Sequence, residues 1–141
     1  MRETKETNVF NNLWPDFVAD PSAPRSPKIV IAEAADGLKE KTGGSVTVFQ
    51  ANISITDNTV ELSYTLFSMP LRYHFPFMRA RFPVEAFYPV TLTAHKMSDL
   101  VATDENGLNG ALATIFNAPT TIEVIQRLLS LGEDVHRFNE A

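Results

Sequence analysis

The chain has 141 residues, of which 44% are hydrophobic and 21% charged, with a net charge of −5 and no cysteine. This length suits one domain with one ordinary core, and the composition excludes a wholly disordered or fibrous chain. The lack of cysteine excludes disulfide bonds, thiolate metal sites and a cysteine nucleophile. The acidic balance is unfavourable for a protein that wraps nucleic acid with its whole surface.

Residues 1–26 are predicted to form an N-terminal arm outside the main domain. Apolar pairs recur at 9–10, 13–14 and 17–18, a spacing that favours a short helix up to about Ala19. Three prolines between positions 21 and 27 then predict a linker. The charged start lacks the apolar stretch of a secretory signal, and no run reaches the roughly 18–20 apolar residues that span a bilayer. We therefore expect a cytoplasmic protein that does not enter the membrane.

A helix is predicted over residues 27–42. Ser26 can cap the first free amides, and Pro27 suits the first helical turn because its missing N–H needs no partner there. One face of the segment is apolar, through Ile31, Ala34, Ala35 and Leu38. Gly43 and Gly44 then end the helix.

The next segment predicts a β-hairpin. Val46 and Val48 alternate, but the apolar residues from Phe49 to Ile55 alternate in the opposite phase, which predicts a bulge near Val48-Phe49 or a strand apolar on both faces. Asp57-Asn58 has the chemistry of a tight turn. The second strand is predicted to bury one face, through Val60, Leu62, Tyr64 and Leu66, against helix residues drawn from Ile31, Leu38, Ile125 or Leu128.

Two further strands are predicted before the C-terminal third. The first alternates from Leu71 to Phe77, and Pro76 predicts an edge position or an irregularity because it lacks a ladder donor. After a segment bracketed by Pro83 and Pro89, the alternation from Val90 to Ala94 predicts the fourth strand.

The C-terminal third predicts two helices. Asp104-Glu105 suits the first turn of one, and the capping-box spacing of Thr120 and Glu123 starts the other, which Leu131-Gly132 closes. The predicted fold class is α+β: an N-terminal helix, a four-stranded antiparallel meander and two C-terminal helices packed on one face of the sheet. The single domain is predicted to cover 27–132, followed by a polar tail over 133–141.

Known catalytic and cofactor motifs are absent from the sequence. It contains no Walker phosphate loop, dinucleotide fingerprint, HExxH, GxSxG or EF-hand pattern. His95 with Asp99 and Asp104 could form a metal site at the end of the fourth strand. Histidines at strand ends are, however, far more often polar surface residues than metal ligands. We predict no metal and no cofactor.

An enzyme remains an alternative, although the sequence favours a protein without catalytic activity. The side chains that could serve are Glu61, Glu85, His74 and His95. None has a partner in the sequence that singles out a reaction.

Residues 71–90 depart most from average composition. They hold six of the 14 aromatic residues and three arginines, against the single acidic residue Glu85. This mixture is typical of protein–protein interfaces, can stack on unpaired bases, and is also compatible with the plain core of a sheet. The candidate binding residues are Arg72, Tyr73, His74, Phe77, Arg79, Arg81, Phe82, Phe87 and Tyr88.

Three functional classes follow from these observations. The first, which elimination favours, is a small soluble interaction module or chaperone-like binder that associates with itself as a homodimer or with another protein. The second is a small-ligand-binding protein or enzyme with a cleft between sheet and helices. The third is a single-stranded nucleic-acid binder, which the overall acidity makes the least favoured.

Overall fold

The computed structural model describes residue 13 and residues 15–17 and 24–140. This part of the chain contains two helices, five strands and two further helices, in that order. Their bounds are α1 Pro27–Ala35, α2 Gly37–Lys41, β1 Val46–Thr56, β2 Thr59–Ser68, β3 Tyr73–Pro83, β4 Val90–Ala94, β5 Leu100–Ala102, α3 Glu105–Phe116 and α4 Pro119–Glu140. The helix predicted up to about Ala19 lies, apart from residues 13 and 15–17, outside the described residues.

The five strands form one sheet in the order β1-β2-β3-β4-β5, and each neighbouring pair is antiparallel. The α+β class and the meander are therefore confirmed, with one strand more than predicted. The additional strand, β5, has three residues. So short a segment has too little alternation to indicate a strand from sequence.

The β1–β2 hairpin turns at Asp57 and Asn58, as predicted, and both residues have positive φ values of 52° and 62°. Asp and Asn tolerate this left-handed conformation better than most residues, which is why the pair suits a two-residue turn. The apolar alternation of β2 is also confirmed. Its alternate residues Val60, Leu62, Tyr64 and Leu66 belong to the same buried cluster as Ile31 and Leu128.

The bulge in β1 lies later than predicted. The register against β2 shifts between Gln50 and Asn52, so Ala51 is the additional residue. Ile53 and Ile55 pair with the buried residues of β2 and share their face, towards the helices. The preceding Phe49 points to the opposite face of the sheet.

Strand β3 lies in the centre of the sheet, so the edge position considered for Pro76 is wrong and the irregularity is correct. The register with β2 shifts around Phe77, and β4 pairs only with residues 78–81 of β3. Pro76 lies beyond the end of β4 and pairs with Thr65 of β2 directly beside this register shift, a place where proline is tolerated within a sheet.

The helix predicted over 27–42 is divided at Asp36 into α1 and α2. Glycine follows directly at position 37, and glycine is a poor helix former. Ser26 caps α1 as predicted, by accepting a hydrogen bond from the Lys28 N–H.

The last helix does not end at Gly132, and the predicted polar tail is helical up to Glu140. Gly132 is buried, and a Cβ atom there would lie 3.2 Å from Cγ of Pro70. The glycine permits a close approach between α4 and the turn before β3.

One hydrophobic core lies between the sheet and the helices. Both the sheet and the helices contribute its largest fully buried aliphatic side chains, which are Ile31, Leu62, Leu66, Leu92, Leu108, Leu112 and Ile115.

Arg25 connects α1 to α3 at the surface, with ion pairs of 2.6 Å to Glu33 and 2.7 Å to Glu105. This arrangement gathers the described helices on one face of the sheet and leaves its other face uncovered by them.

Candidate functional site

We call the sheet face without described helices the open face. Alternate residues of four neighbouring strands point to it, because directly paired residues in antiparallel strands share a face. They include Thr47, Phe49, Asn52, Ser54, Glu61, Ser63, Thr65, Phe67, His74, Pro76, Arg79, Arg81, Thr91 and Thr93. Hydroxyl-bearing side chains predominate, with aromatic rings at one end and arginines towards the other.

The aromatic end of the open face is built around His74. Its ring centroid lies 4.5 Å from that of Phe67 and 5.4 Å from that of Phe49. Thr65 Oγ1 and His74 Nδ1 form a hydrogen bond of 3.0 Å, which orients the imidazole and leaves Nε2 for another partner. The Phe49 side chain is 51% exposed, so it presents apolar area to solvent.

Arg79 lies at the centre of the open face, between Ser63 on β2 and Thr93 on β4. It borders a shallow depression of about 410 Å³ that also includes Thr65 and His95. Among residues 24–135, no carboxylate lies within ion-pair distance of Arg79. Its guanidinium is therefore available to a carboxylate from outside the chain.

Arg81 has a different environment on the same strand. Its Nη2 atom lies 3.8 Å from Oδ2 of Asp99, and Glu61 is its cross-strand neighbour on β2. Nearby negative charge therefore offsets its positive charge. The electrostatic attraction of the open face for an anionic group is centred on Arg79.

Of the nine candidate binding residues from the sequence, three meet on the open face: His74, Arg79 and Arg81. Two further candidates lie just before them in the chain: Arg72 is in the turn that precedes β3, and Tyr73 is the first residue of that strand. All five are exposed.

The other four candidates lie elsewhere. Phe77 and Phe82 belong to the hydrophobic core, with exposures of 4% and 6%, so the core already accounts for their burial. Phe87 and Tyr88 follow β3 in a loop and are partly buried. The Phe87 ring packs edge-on against Phe82 at 6.2 Å.

The sequence analysis missed Phe49 and Phe67, which complete the aromatic end of the open face. They belong to the two strands before the aromatic segment, on either side of the Asp57-Asn58 turn. The sequence did contain an indication for Phe49: it alternates in the opposite phase to Val46 and Val48, which places it on the other face of the strand from them. Folding the sequence about the turn would have brought Phe49 towards Thr65 and Phe67.

A second recess lies on the helix side of the sheet. This cavity of about 350 Å³ lies between α1–α2 and β1, and Lys28, Lys39, Gln50 and Tyr64 contribute to its lining. The Tyr64 side chain is only 4% exposed, and its hydroxyl has no hydrogen-bond partner among the described residues. Burial raises the pKa of this phenol, so the group remains a neutral donor.

The groups considered for metal binding and catalysis do not form a cluster. Within the described residues, no three His, Cys, Asp or Glu side chains are placed to hold a metal ion. Asp99 lies beside Arg81, and the His95 ring packs edge-on against Phe75 at 5.0 Å. The described geometry thus offers recognition chemistry, namely aromatic area, hydroxyls and an unpaired guanidinium.

By fold and surface, the chain is an α+β protein whose antiparallel sheet is covered by helices on one face. No protein-family model, curated protein or solved structure matches it. Among the described helices, none is both long and apolar enough to cross a membrane.

Proposed function

We propose that this chain is a non-catalytic binding module that holds a polypeptide segment on its open face. The observation that carries the proposal is Arg79, which has no ion-pair partner among the described residues and lies at the centre of the open face, beside the aromatic cluster of Phe49, Phe67 and His74. Arginine and aromatic side chains are the residue types that most often dominate binding energy at protein interfaces.

The partner is expected to combine an acidic side chain with an apolar one. A carboxylate can form paired hydrogen bonds with the Arg79 guanidinium, and the flanking Ser63 and Thr93 hydroxyls can add further hydrogen bonds. An apolar side chain of the partner would cover the exposed Phe49 ring. A single segment that runs across β1, β2 and β3 meets both groups.

Charge favours a polypeptide over a nucleic acid as this partner. Nucleic-acid affinity rests on several phosphate contacts from Lys and Arg. The open face offers Arg79 without a counter-charge, whereas Arg81 has Asp99 beside it and the whole chain carries −5. One free guanidinium suits recognition of a single acidic side chain.

The test is selection from a random peptide library displayed on phage, with two matched variants. The open-face variant combines Phe49→Ser with Arg79→Glu. The control combines Leu131→Ser with Arg127→Glu on α4, where both side chains are also exposed. Each variant loses one apolar side chain and reverses one arginine, so total charge and mean hydropathy change alike.

We expect peptides that bind the wild-type protein and the control to lose at least about tenfold in affinity for the open-face variant, and to be rich in acidic and apolar residues. Equal binding to all three proteins would exclude the open face as the site. A fluorescent oligothymidine serves as the second probe, and its open-face-dependent binding would assign the surface to single-stranded nucleic acid instead.

A second candidate function is binding of a small carboxylate ligand in the cavity beneath α1 and α2. The specific observation is the buried Tyr64 hydroxyl without a partner, in a cavity that Lys28 and Lys39 also line. A ligand that accepts a hydrogen bond from Tyr64 would satisfy it. The carboxylate of Asp36 also lines the cavity, so the two ammonium groups leave an excess of one positive charge, which favours an anion.

Thermal unfolding with a panel of small aliphatic and aromatic carboxylates tests this candidate. A binding carboxylate should raise the Tm of the wild-type protein and have a smaller effect on Tyr64→Phe and Lys39→Ala. Lys96→Ala, at an exposed position outside this cavity, is the control. A panel without any Tm increase, or an increase that both cavity variants keep, would exclude the cavity as a carboxylate site.

A further inference from the structure

Strand β1 is an edge strand with an unusual sequence. It spans eleven residues, VTVFQANISIT, and contains neither a charged residue nor a proline. Every residue from Asn52 to Thr56 is exposed. The strand at the opposite edge, β5, has only three residues.

Edge strands carry a row of unpaired N–H and C=O groups that can pair with another strand. Proteins normally prevent this with short edge strands, with lysine or proline, or with bulges. Strand β5 is protected by its length. Strand β1 has only the bulge at Ala51, and its second half continues beyond that bulge as a regular strand paired with β2.

The helix-side surface of this half-strand is apolar, and none of the described residues covers it. Ile53 and Ile55 are 51% and 63% exposed, although they share a face with the buried Leu62 and Val60. An exposed backbone edge therefore coincides with an exposed apolar row, which is the combination that favours addition of a strand.

We propose that residues 52–56 of β1 pair antiparallel with the same residues of a second copy of this chain. A two-fold axis perpendicular to the sheet then relates the copies and joins their sheets into one of ten strands. The helices of both copies lie on the same side, and Ile53 and Ile55 of each copy pack near those of the other.

Two features favour a second copy over a different chain. An antiparallel edge is self-complementary, because each strand offers its partner the same pattern of donors and acceptors. The uncharged strand also brings no like charges together at the contact, although each chain carries −5 overall. A contact through a charged edge would meet repulsion that β1 avoids.

The size of the contact predicts a reversible dimer. Pairing of five residues buries less than the roughly 1,200–2,000 Å² of a typical stable complex. Association should therefore depend on protein concentration, in the range of tens to hundreds of micromolar. This proposal does not depend on the proposed function, because the open face remains accessible on both copies.

A cysteine scan tests the pairing directly, because the chain has no cysteine of its own. Single cysteines replace Asn52, Ile53, Ser54 and Ile55 in separate full-length proteins. Val101→Cys is the control, at a residue of β5 that is 62% exposed. In the proposed pairing Ser54 lies opposite Ser54 of the second copy, within disulfide range, whereas Ile53 lies opposite Ile55. Ser54→Cys should therefore form a disulfide dimer at least about tenfold faster than the control under mild oxidation, and faster than the other three scanned positions.

Sedimentation equilibrium supplies the second measurement. The wild-type protein should associate, the double variant Ile53→Lys with Ile55→Lys should remain monomeric, and Arg79→Glu on the open face should still associate. Both isoleucines are more than half exposed, so the lysines should leave the monomer folded; if they do not, the cysteine scan decides alone.

Three results would overturn the proposal. The first is a wild-type protein that stays monomeric at concentrations of hundreds of micromolar. The second is disulfide formation at equal rates at scanned and control positions. The third is a dimer that Arg79→Glu abolishes and the lysine variant retains, which would place the contact on the open face.

Discussion

Tyr64 joins the core to the recess beneath α1 and α2. Its ring belongs to the buried cluster, whereas its hydroxyl is buried without a hydrogen-bond partner among the described residues. A buried polar group without a partner loses its hydration and receives no compensation. This hydroxyl therefore lowers the stability of the folded protein, whereas the packing of the ring raises it.

The first prediction concerns alkaline pH and Tyr64. Burial raises the pKa of this phenol above its ordinary value of 10.0, so the folded protein retains a proton that the unfolded chain releases. The free energy of unfolding should fall as the pH rises above about 10, and Tyr64→Phe should weaken this fall. Urea unfolding at about pH 8 and about pH 11 measures both.

Tyr73→Phe is the control for this prediction, because the Tyr73 side chain is half-exposed. It should keep the pH dependence of the wild-type protein. If Tyr64→Phe and Tyr73→Phe show the same pH dependence, burial of Tyr64 is not its cause.

The second prediction concerns two helical glycines. A Cβ atom at Gly110 meets nothing within 4 Å, whereas one at Gly132 lies 3.2 and 3.3 Å from the Pro70 ring. Gly110→Ala should raise the free energy of unfolding by about 0.5–1 kcal/mol through helix propensity. Gly132→Ala should lose that gain to the close contact. Chemical denaturation of both variants checks the difference, and an equal gain would contradict the packing of α4 on Pro70.

At the scale of elements, helices α3 and α2 differ in how they begin, although an aspartate precedes both. Asp104 accepts a hydrogen bond of 2.7 Å from the Gly107 N–H at the start of α3. Asp36 occupies the corresponding position before α2 and makes no such side-chain bond. The same residue type therefore caps one helix and only separates two others.

This contrast gives the third prediction. Asp104→Ala should lower the free energy of unfolding by about 1 kcal/mol, because it leaves an amide at the start of α3 without its acceptor. Asp36→Ala should change it by less than about half of that, since no capping hydrogen bond is lost. Urea denaturation of the two variants at neutral pH measures both values. Similar losses would mean that the charge of the aspartates, rather than the cap, is responsible.

At the scale of the whole molecule, stability comes from one face of the sheet. The buried cluster joins all five strands with the longer helices α1, α3 and α4, and the open face contributes little to it. Residues of the open face can therefore change with small effects on folding. Residues on the helix side of the central strands cannot.

The fourth prediction compares two identical truncations. Leu62→Ala removes a side chain with 0% exposure from the sheet and should cost about 2–5 kcal/mol. Leu131→Ala removes the same atoms from a position on α4 that is 52% exposed, and should cost less than about 1 kcal/mol. Thermal or urea unfolding compares them. Comparable losses would mean that the core extends across the exposed side of α4.

Much of the fold followed from local sequence signals. The turn at Asp57-Asn58, the alternation of β2, the cap at Ser26 and the acidic start of α3 at Asp104-Glu105 each act through neighbouring residues, so a single sequence reveals them. Of the candidate site, the sequence indicated His74, Arg79 and Arg81, because residues 71–90 combine aromatic residues and arginines in an unusual proportion.

Only the tertiary structure decided the features that depend on distant partners. The bulge at Ala51 sends Phe49 and Ile53 to opposite faces, and its position is fixed by pairing with β2, which periodicity within β1 does not determine. The central place of β3 depends on β4 and β5. Gly132 has its role because Pro70, far away in sequence, lies against it. Register and close approach are properties of pairs of segments, so one segment alone cannot specify them.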